Sequence, residues 1–435
     1  MLESSVREGW RMRAVVIGAG LIGLTTALFL RRHGAEVVVV DRADGPGAET
    51  SFANGGLLTP SMADPWNAPG ILGKMLRWIG HESAPVLLRP HALPALGAWG
   101  IAFLRQSRPQ RFRENLLRNV RLANYSLSVM AGLRDEYEFA YDGACSGSLK
   151  LLRDTVALEQ ATAMAESLVS HGVRFQSLDR AATVALEPAL APVADEVAGS
   201  LFFPDDESGD AHRFCCAVAE VLRRLGVTLR FGLEVESLRK QGGRMTGVVT
   251  AQGVLEADVY VVAAGSYSTQ LLRPLGLRLP VRPAKGYSIT LPVEGLQQRP
   301  RLPVVDDALH AVVVPLGHRL RVAGTAEFAG FDRTLRPQRI DNLRYLLRQT
   351  YPEIAASLDA APVQAWTGLR PMSADGVPLI GVTSIGSLFL NTGHGPLGWT
   401  LAAGSAKALA DKIMGQPPGF DIGEYSPARF AHFRI

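Results

Sequence analysis

Gly18, Gly20 and Gly23 stand in the spacing G-x-G-x-x-G within GAGLIG, directly after one apolar run and before another. The first glycine permits a tight turn, the second lets backbone approach a pyrophosphate, and the third lets a helix pack close on a strand. A phosphate at the start of that helix is held by free N–H groups and the positive end of the helix dipole. Asp41 follows eighteen residues after Gly23, at the end of EVVVVD, where a carboxylate can accept hydrogen bonds from ribose hydroxyls. This is the chemistry of a dinucleotide site.

The adenosine half of such a site serves NAD and FAD alike, and other residues favour FAD. Glu49-Thr50-Ser51 and Asn54-Gly55-Gly56 supply hydroxyl, amide and backbone donors in a second loop able to reach the pyrophosphate. Ala263, Ala264 and Gly265 end VYVVAAG with residues small enough for close approach to a nucleotide. Leu21, Ile22, Arg42, Leu57, Val235 and Gly368 complete these walls of the expected cofactor site. Gly393, Gly395, Pro396, Leu397 and Gly398, in NTGHGPLGW, open another helix, with Pro396 suited to its first turn. A helix N-terminus there would stabilise the negative charge that reduction places near N1 and the C2 carbonyl of an isoalloxazine. No Cys/His cluster has metal-ligand spacing, and no G-x-S-x-G elbow is present, so neither a metal nor an acyl-transfer triad is expected.

The elements that must hold these residues read as a strand over Arg13–Ile17, a helix from about Leu21 to His33 stopped by Gly34, and a strand ending at Asp41. That grammar excludes the apolar run 14–30 as a signal sequence or membrane span. ADVYVVAAGS reads as a buried strand entering a glycine turn, and LFLNTG, GHGPLG and WTLAAGSAKALADKIMG repeat the strand, turn and helix of the opening. The 435 residues, 47% hydrophobic and 20% charged, suit two or three globular domains rather than a disordered chain or a lone binding module. A net charge of +4 is too mild to make nucleic acid the main partner. Cys145, Cys215 and Cys216 cannot build a disulfide framework, which fits a reducing, cytoplasmic location. Residues 71–121 carry nine basic residues against two acidic ones, interleaved with Trp78, Trp99 and aliphatics. Such a face can be a peripheral contact with a membrane, here the inner face of a bacterial inner membrane, or a basic solvated face of helices.

The blocks ETSFANGG, DDESGDAHRF, AAGSYST, KGYSITLP, RLRVAGTAEFAGFD, WTGLRPMSADGVPLIG and LFLNTGHGPLGWT, in this order, resemble the bacterial FAD-dependent D-amino acid dehydrogenases, within the D-amino acid, glycine and sarcosine oxidase family. The resemblance implies an α/β and α+β fold: a discontinuous Rossmann-like FAD-binding domain (13–60, 205–275 and 372–435) interleaved with a mixed-sheet substrate domain (61–204 and 276–371), after an N-terminal extension over 1–12. It implies oxidation of a D-amino acid by hydride transfer from the α-carbon to flavin N5. The imino acid then hydrolyses to a keto acid and ammonia, and electrons pass to a respiratory quinone or another carrier.

Arg370, in TGLRP, matches the arginine that grips the substrate carboxylate in related oxidases, a task suited to a planar guanidinium with paired donors. Tyr287 is a candidate for the wall of the site and His394 for a contact with the flavin; no protein base is required if the amine arrives neutral. Pro396 replaces a threonine of the family pattern, Leu309 stands near a tyrosine position, and Ala211 and His212 stand where Cys and Gln are common. These changes concern the substrate and leave a cyclic D-imino acid such as D-proline or a D-hydroxyproline open. A glycine- or sarcosine-type amine oxidase, a flavin-carrying electron-transfer subunit without its own substrate, and a nicotinamide-linked dehydrogenase are the other readings.

Overall fold

The opening strand, helix and strand form as Arg13–Ile17, Leu21–Arg32 and Glu36–Val40. The computed structural model describes residues 12–435 apart from 83, 295, 297, 360 and 434, with backbone only at 431 and 432. The extension expected over 1–12 therefore lies outside the described residues up to residue 11.

Arg13–Ile17 is the third strand from one edge of a sheet ordered Thr228–Arg230, Glu36–Val40, Arg13–Ile17, Val259–Val262, Leu388–Thr392, Leu379–Val382. All neighbours are parallel except the last pair, which is antiparallel. Val259–Val262 is buried throughout, as a strand covered on both faces must be, and each such side chain contributes about 1.5–3 kcal/mol of hydrophobic stabilisation. Gly18, at φ +111°, turns the chain from strand to helix while its N–H is held by Val40 O at 2.9 Å. A side chain there would put Cβ 2.6 Å from Ala263 O, and a Cβ on Gly23 would overlap the carbonyl oxygen of Gly18. The turn and the packing of helix on strand thus require both glycines.

Helix Leu21–Arg32 packs on Ala402–Ile413 and on Ala211–Arg224. Gly404 lets the long helix Pro109–Glu136 approach closely, donating its N–H to Ser126 Oγ at 3.0 Å. The helix expected directly after the NTGHGPLGW turn starts later than the sequence suggests. Gly395–Leu397 is a short 3₁₀ turn with Pro396 in its first positions, and regular helix begins at Ala402.

The second large sheet is mixed. From one edge it runs Gln364–Ser373, Val281–Pro292, Arg319–Phe328, Ala311–Leu316, Val304–Asp306, Ser148–Leu152, Gly199–Phe203, Gln176–Leu178, with Val86–Leu88 also paired to Arg319–Phe328. Val281–Pro292 lies between two antiparallel partners and faces Arg370 with Ala284, Gly368 with Gly286, and Trp366 with Ser288. Opposed residues share a face, so even-numbered positions of this strand lie on the side of Arg370.

Asp206 ties the segment Pro60–Met62 to this sheet, accepting hydrogen bonds from Ser61 Oγ at 2.5 Å and Ser148 Oγ at 2.6 Å. Burial raises its pKa to about 7 despite those two donors. A carboxyl raised in the folded state favours folding while protonated: that stability is complete below the ordinary value of 3.8 and is lost as pH rises through about 7. Thermal melts should therefore show Tm falling over this window, by roughly a few degrees. Asp206→Asn should flatten the fall, and an unchanged slope in the variant would remove Asp206 as its cause.

Candidate functional site

A cavity of about 830 Å³ opens at the C-terminal ends of the parallel strands, where ligands bind in open α/β sheets, and extends along one face of the mixed sheet. Gly18, Gly20, Leu21 and Ile22 line one end together with Asp41 and Arg42. Asp41 accepts the Ala19 and Ala43 N–H groups at 2.7 and 2.8 Å, one on each carboxylate oxygen. Burial outweighs those bonds and raises its pKa. Each oxygen keeps a lone pair free for a hydroxyl. Arg42 lies 3.9 Å over the Tyr267 ring and pairs with Glu49 at 2.9 Å, closing this end.

The second loop crosses onto the mixed sheet. Thr50, Ser51, Asn54, Gly55, Gly56 and Leu57 all reach the cavity. Ser51 Oγ accepts the Leu21 N–H at 3.2 Å, Thr50 Oγ1 donates to Leu369 O at 2.9 Å, and Ser288 Oγ donates to Ala53 O at 2.6 Å. Asn54 turns inward on its own loop, accepting the Gly56 N–H at 3.0 Å. Val235, Ala263, Ala264 and Gly265 form a further wall, and Gly395, Pro396, Leu397 and Gly398 another.

Arg370 and Gly368 face the cavity from the edge strand of the mixed sheet. The Arg370 guanidinium lies over Gly286, where a Cβ would overlap it, and sits 5.8 Å over the Trp66 ring. Its Nη1 is sequestered without a hydrogen-bond partner, and among the described residues no carboxylate pairs with it. Burial pushes its pKa down to about 10, so it stays cationic at neutral pH. An unpaired guanidinium facing a cavity is costly unless an anion arrives to satisfy it.

Three expected site residues do not reach the cavity lining. Gly23 serves the helix-to-strand contact, and Gly393, at φ +79°, serves the turn after Leu388–Thr392. Tyr287 is corrected: it lies on the opposite face from Gly286, 1% exposed, donating its hydroxyl to Glu327 at 3.0 Å. His394 does line the cavity but is 2% exposed, with Nε2 3.2 Å from Ser405 Oγ. Burial lowers its pKa to about 3, so it is neutral at physiological pH.

Sequence reasoning missed Trp66, Trp366, Thr325, Asn391 and Trp399, all on the lining. Trp366 precedes Gly368 and Arg370 on one face of a strand, a period-two signal that was available. The others come together only through the tertiary fold. Thr325 Oγ1, Asn391 Oδ1 and Trp399 Nε1 are buried without partners, as Arg370 Nη1 is. Buried polar atoms are rarely left so, and four such atoms on one cavity mark it as a place for polar ligands. Gly265, at φ +52°, has open space where a Cβ would be, leaving backbone bare to such a ligand. The donor set, the ribose-type carboxylate and the unpartnered Asn391 Oδ1 and Trp399 Nε1 fit FAD.

Comparisons with known proteins agree with this geometry. The family profile described as FAD dependent oxidoreductase (DAO) matches residues 13–412. Curated proteins named D-amino acid dehydrogenase are similar over nearly the whole chain. That of Xanthobacter autotrophicus is 44% identical over 97% of this chain and 99% of its own length. That of Paramagnetospirillum magneticum is 44% identical over 97% and 100%. Among solved structures, glycine oxidase from Bacillus cereus superposes with a TM-score of 0.70 at 22% identity, over 93% of this chain and 95% of the other. L-proline dehydrogenase from P. horikoshii gives 0.76 at 19%, over 98% and 99%. These two likenesses speak for the fold alone.

Proposed function

The chain belongs to the DAO family of FAD-dependent oxidoreductases, and from that premise we propose that it is a D-amino acid dehydrogenase, oxidatively deaminating D-amino acids to keto acids and ammonia. The observation that carries the substrate reading is Arg370: an uncompensated guanidinium facing the cavity over Gly286, its Nη1 buried without a partner. A substrate carboxylate supplies the missing counter-charge through two parallel hydrogen bonds. FAD, once bound, would supply the acceptor for the hydride equivalent of the α-carbon. The cofactor would be held by the Gly18–Gly20 turn, Asp41, the Thr50–Leu57 loop and the Gly395–Gly398 turn, all of which line the cavity. His394, bonded to Ser405, keeps the last turn in place and is assigned no acid/base role. Positioning by Arg370 does most of the work, and Trp66 and Trp366 exclude water beside it. No acid/base side chain is needed where the amine arrives neutral or loses its proton on binding.

The test is an acceptor comparison. A panel of D- and L-amino acids is offered with an artificial dye and, separately, with air. D-enantiomers should drive dye reduction with one ammonia per keto acid, and oxygen uptake should be much slower. Oxygen uptake as fast as dye reduction would make the protein an oxidase.

The natural acceptor in this reading is a membrane quinone. Helix Ile71–Trp78 buries none of its residues, and Leu72, Leu76 and Ile101 are 50%, 63% and 57% exposed beside Lys74, Arg77 and Arg105. Trp99 belongs to the core instead, donating to Met372 O at 3.0 Å. Among the described residues no helix is long and apolar enough to cross a membrane, so contact would be interfacial. The protein should sediment with anionic-lipid vesicles at low salt and be released at high salt; Leu72→Ser with Leu76→Ser should weaken this. Full recovery in the supernatant at low salt rules the contact out.

A further inference from the structure

Thr325 is a β-branched residue held at φ +51°, inside the strand Arg319–Phe328. That conformation is a genuine outlier for such a side chain, and strain of this kind persists where the surroundings impose it, often at functional sites. The register explains how it arises. Gly286 pairs with Ala326 and the next residue, Tyr287, pairs with Gly324, so Thr325 is the extra residue of a bulge opposite one peptide step. The bulge turns Thr325 into the cavity, where the residue is 8% exposed and its hydroxyl has no partner. On the other flank of Gly286 lies the strand that carries Gly368 and Arg370, and the Arg370 guanidinium covers Gly286 itself. One orphan cation and one orphan hydroxyl therefore bracket the same bare glycine.

We infer that Thr325 is a substrate-binding residue whose hydroxyl accepts a hydrogen bond from the α-amino group while Arg370 holds the carboxylate. This rests on the amino acid reading above and goes beyond it. Arg370 alone fixes one end of the substrate and leaves rotation about its axis. A second contact, to the amine, sets which of the four groups on the α-carbon faces the cofactor. A hydroxyl suits this position because it accepts from an amine N–H whether the amine is charged or neutral. The φ strain is the cost of placing it there, and the bulge is the device that does so.

The experiment uses the FAD-loaded protein and compares two ligands that differ only in the amine, D-alanine and propionate, or D-phenylalanine and hydrocinnamate if the larger side chain is preferred. Dissociation constants come from the reductive half-reaction for the amino acid and from perturbation of the flavin spectrum for the carboxylate. Thr325→Val keeps the shape and deletes the hydroxyl. It should raise the amino acid constant about 10- to 100-fold, the worth of one buried polar contact, and leave the carboxylate constant within about twofold. Thr325→Ser should recover most of the loss. Thr325→Gly removes both strain and hydroxyl, so it should melt above the wild type yet bind the amino acid as weakly as the valine variant.

An unchanged amino acid constant in Thr325→Val, an equal loss for both ligands, or a weakened hold on FAD would overturn the inference. Failure of the D-amino acid reading is recognised separately, because then the wild type itself is reduced by no D-amino acid.

Discussion

Arg370→Met is expected to lower kcat/KM for D-amino acids about 30- to 3,000-fold, since removing one partner of a buried, hydrogen-bonded charge pair costs about 2–5 kcal/mol at about 1.4 kcal/mol per tenfold. The loss should fall mostly on substrate affinity, seen as a raised KM and a raised dissociation constant in the reductive half-reaction. FAD content should stay near that of the wild type, because the cofactor's predicted anchors lie at Gly18–Gly20, Asp41 and the Thr50–Leu57 loop. The free protein should melt no lower than the wild type. Its Nη1 is buried and unpartnered, and removing an uncompensated charge relieves a desolvation cost. Arg370→Lys keeps the charge but not the fork, and should lie between the two. A structural role predicts the opposite pattern, a lower Tm with intact affinity. Gly286→Ala, which would overlap the Arg370 guanidinium, should mimic the affinity loss without removing the arginine.

Gly23→Val should yield protein largely stripped of flavin. The obstacle is backbone: a Cβ at residue 23 overlaps the carbonyl oxygen of Gly18, and no side chain can move aside to admit it. Either the helix Leu21–Arg32 lifts from the strand or the Gly18 turn opens, and both displace the N–H groups that face a phosphate. We expect less than roughly a tenth of wild-type flavin per chain, with overpacking costing about 1–3 kcal/mol of stability. Gly45→Ala is the control. It has nothing within 4 Å of an added Cβ and should keep its flavin, so any general penalty for filling a glycine near this site would show there too. Flavin absorbance against protein absorbance in the purified variants decides the matter.

Much of the nucleotide end was legible because its signals are local. The strand Arg13–Ile17, the start of the helix at Leu21 and the acid at Asp41 follow from a period change, three glycines and a run of valines within about thirty residues. The mixed sheet was legible only as short strands. Its order, with Gln364–Ser373 beside Val281–Pro292 and Arg319–Phe328 beyond, depends on pairings between distant segments that no local pattern carries. Tyr287 shows what that hides. KGYS offers a glycine and a tyrosine on successive residues of one strand, so only one can face the cavity. Which one does depends on the register with Arg370, where Ala284 is the direct neighbour. Thr325 was hidden more deeply, since the bulge that turns it inward exists only between two paired strands. Arg370 was marked by resemblance, and its isolation from any carboxylate became visible only with the side chains around it in place.

If the cavity holds an oxidised flavin and Arg370 grips a D-amino acid beside it, that amino acid reduces the flavin. An anaerobic visible spectrum of the purified protein, titrated with paired D- and L-amino acids including both prolines and hydroxyprolines, tests this most directly. The flavin band near ~450 nm should bleach with D-enantiomers and persist with their L-counterparts. A band that survives every D-amino acid, or that bleaches equally with either hand, contradicts it.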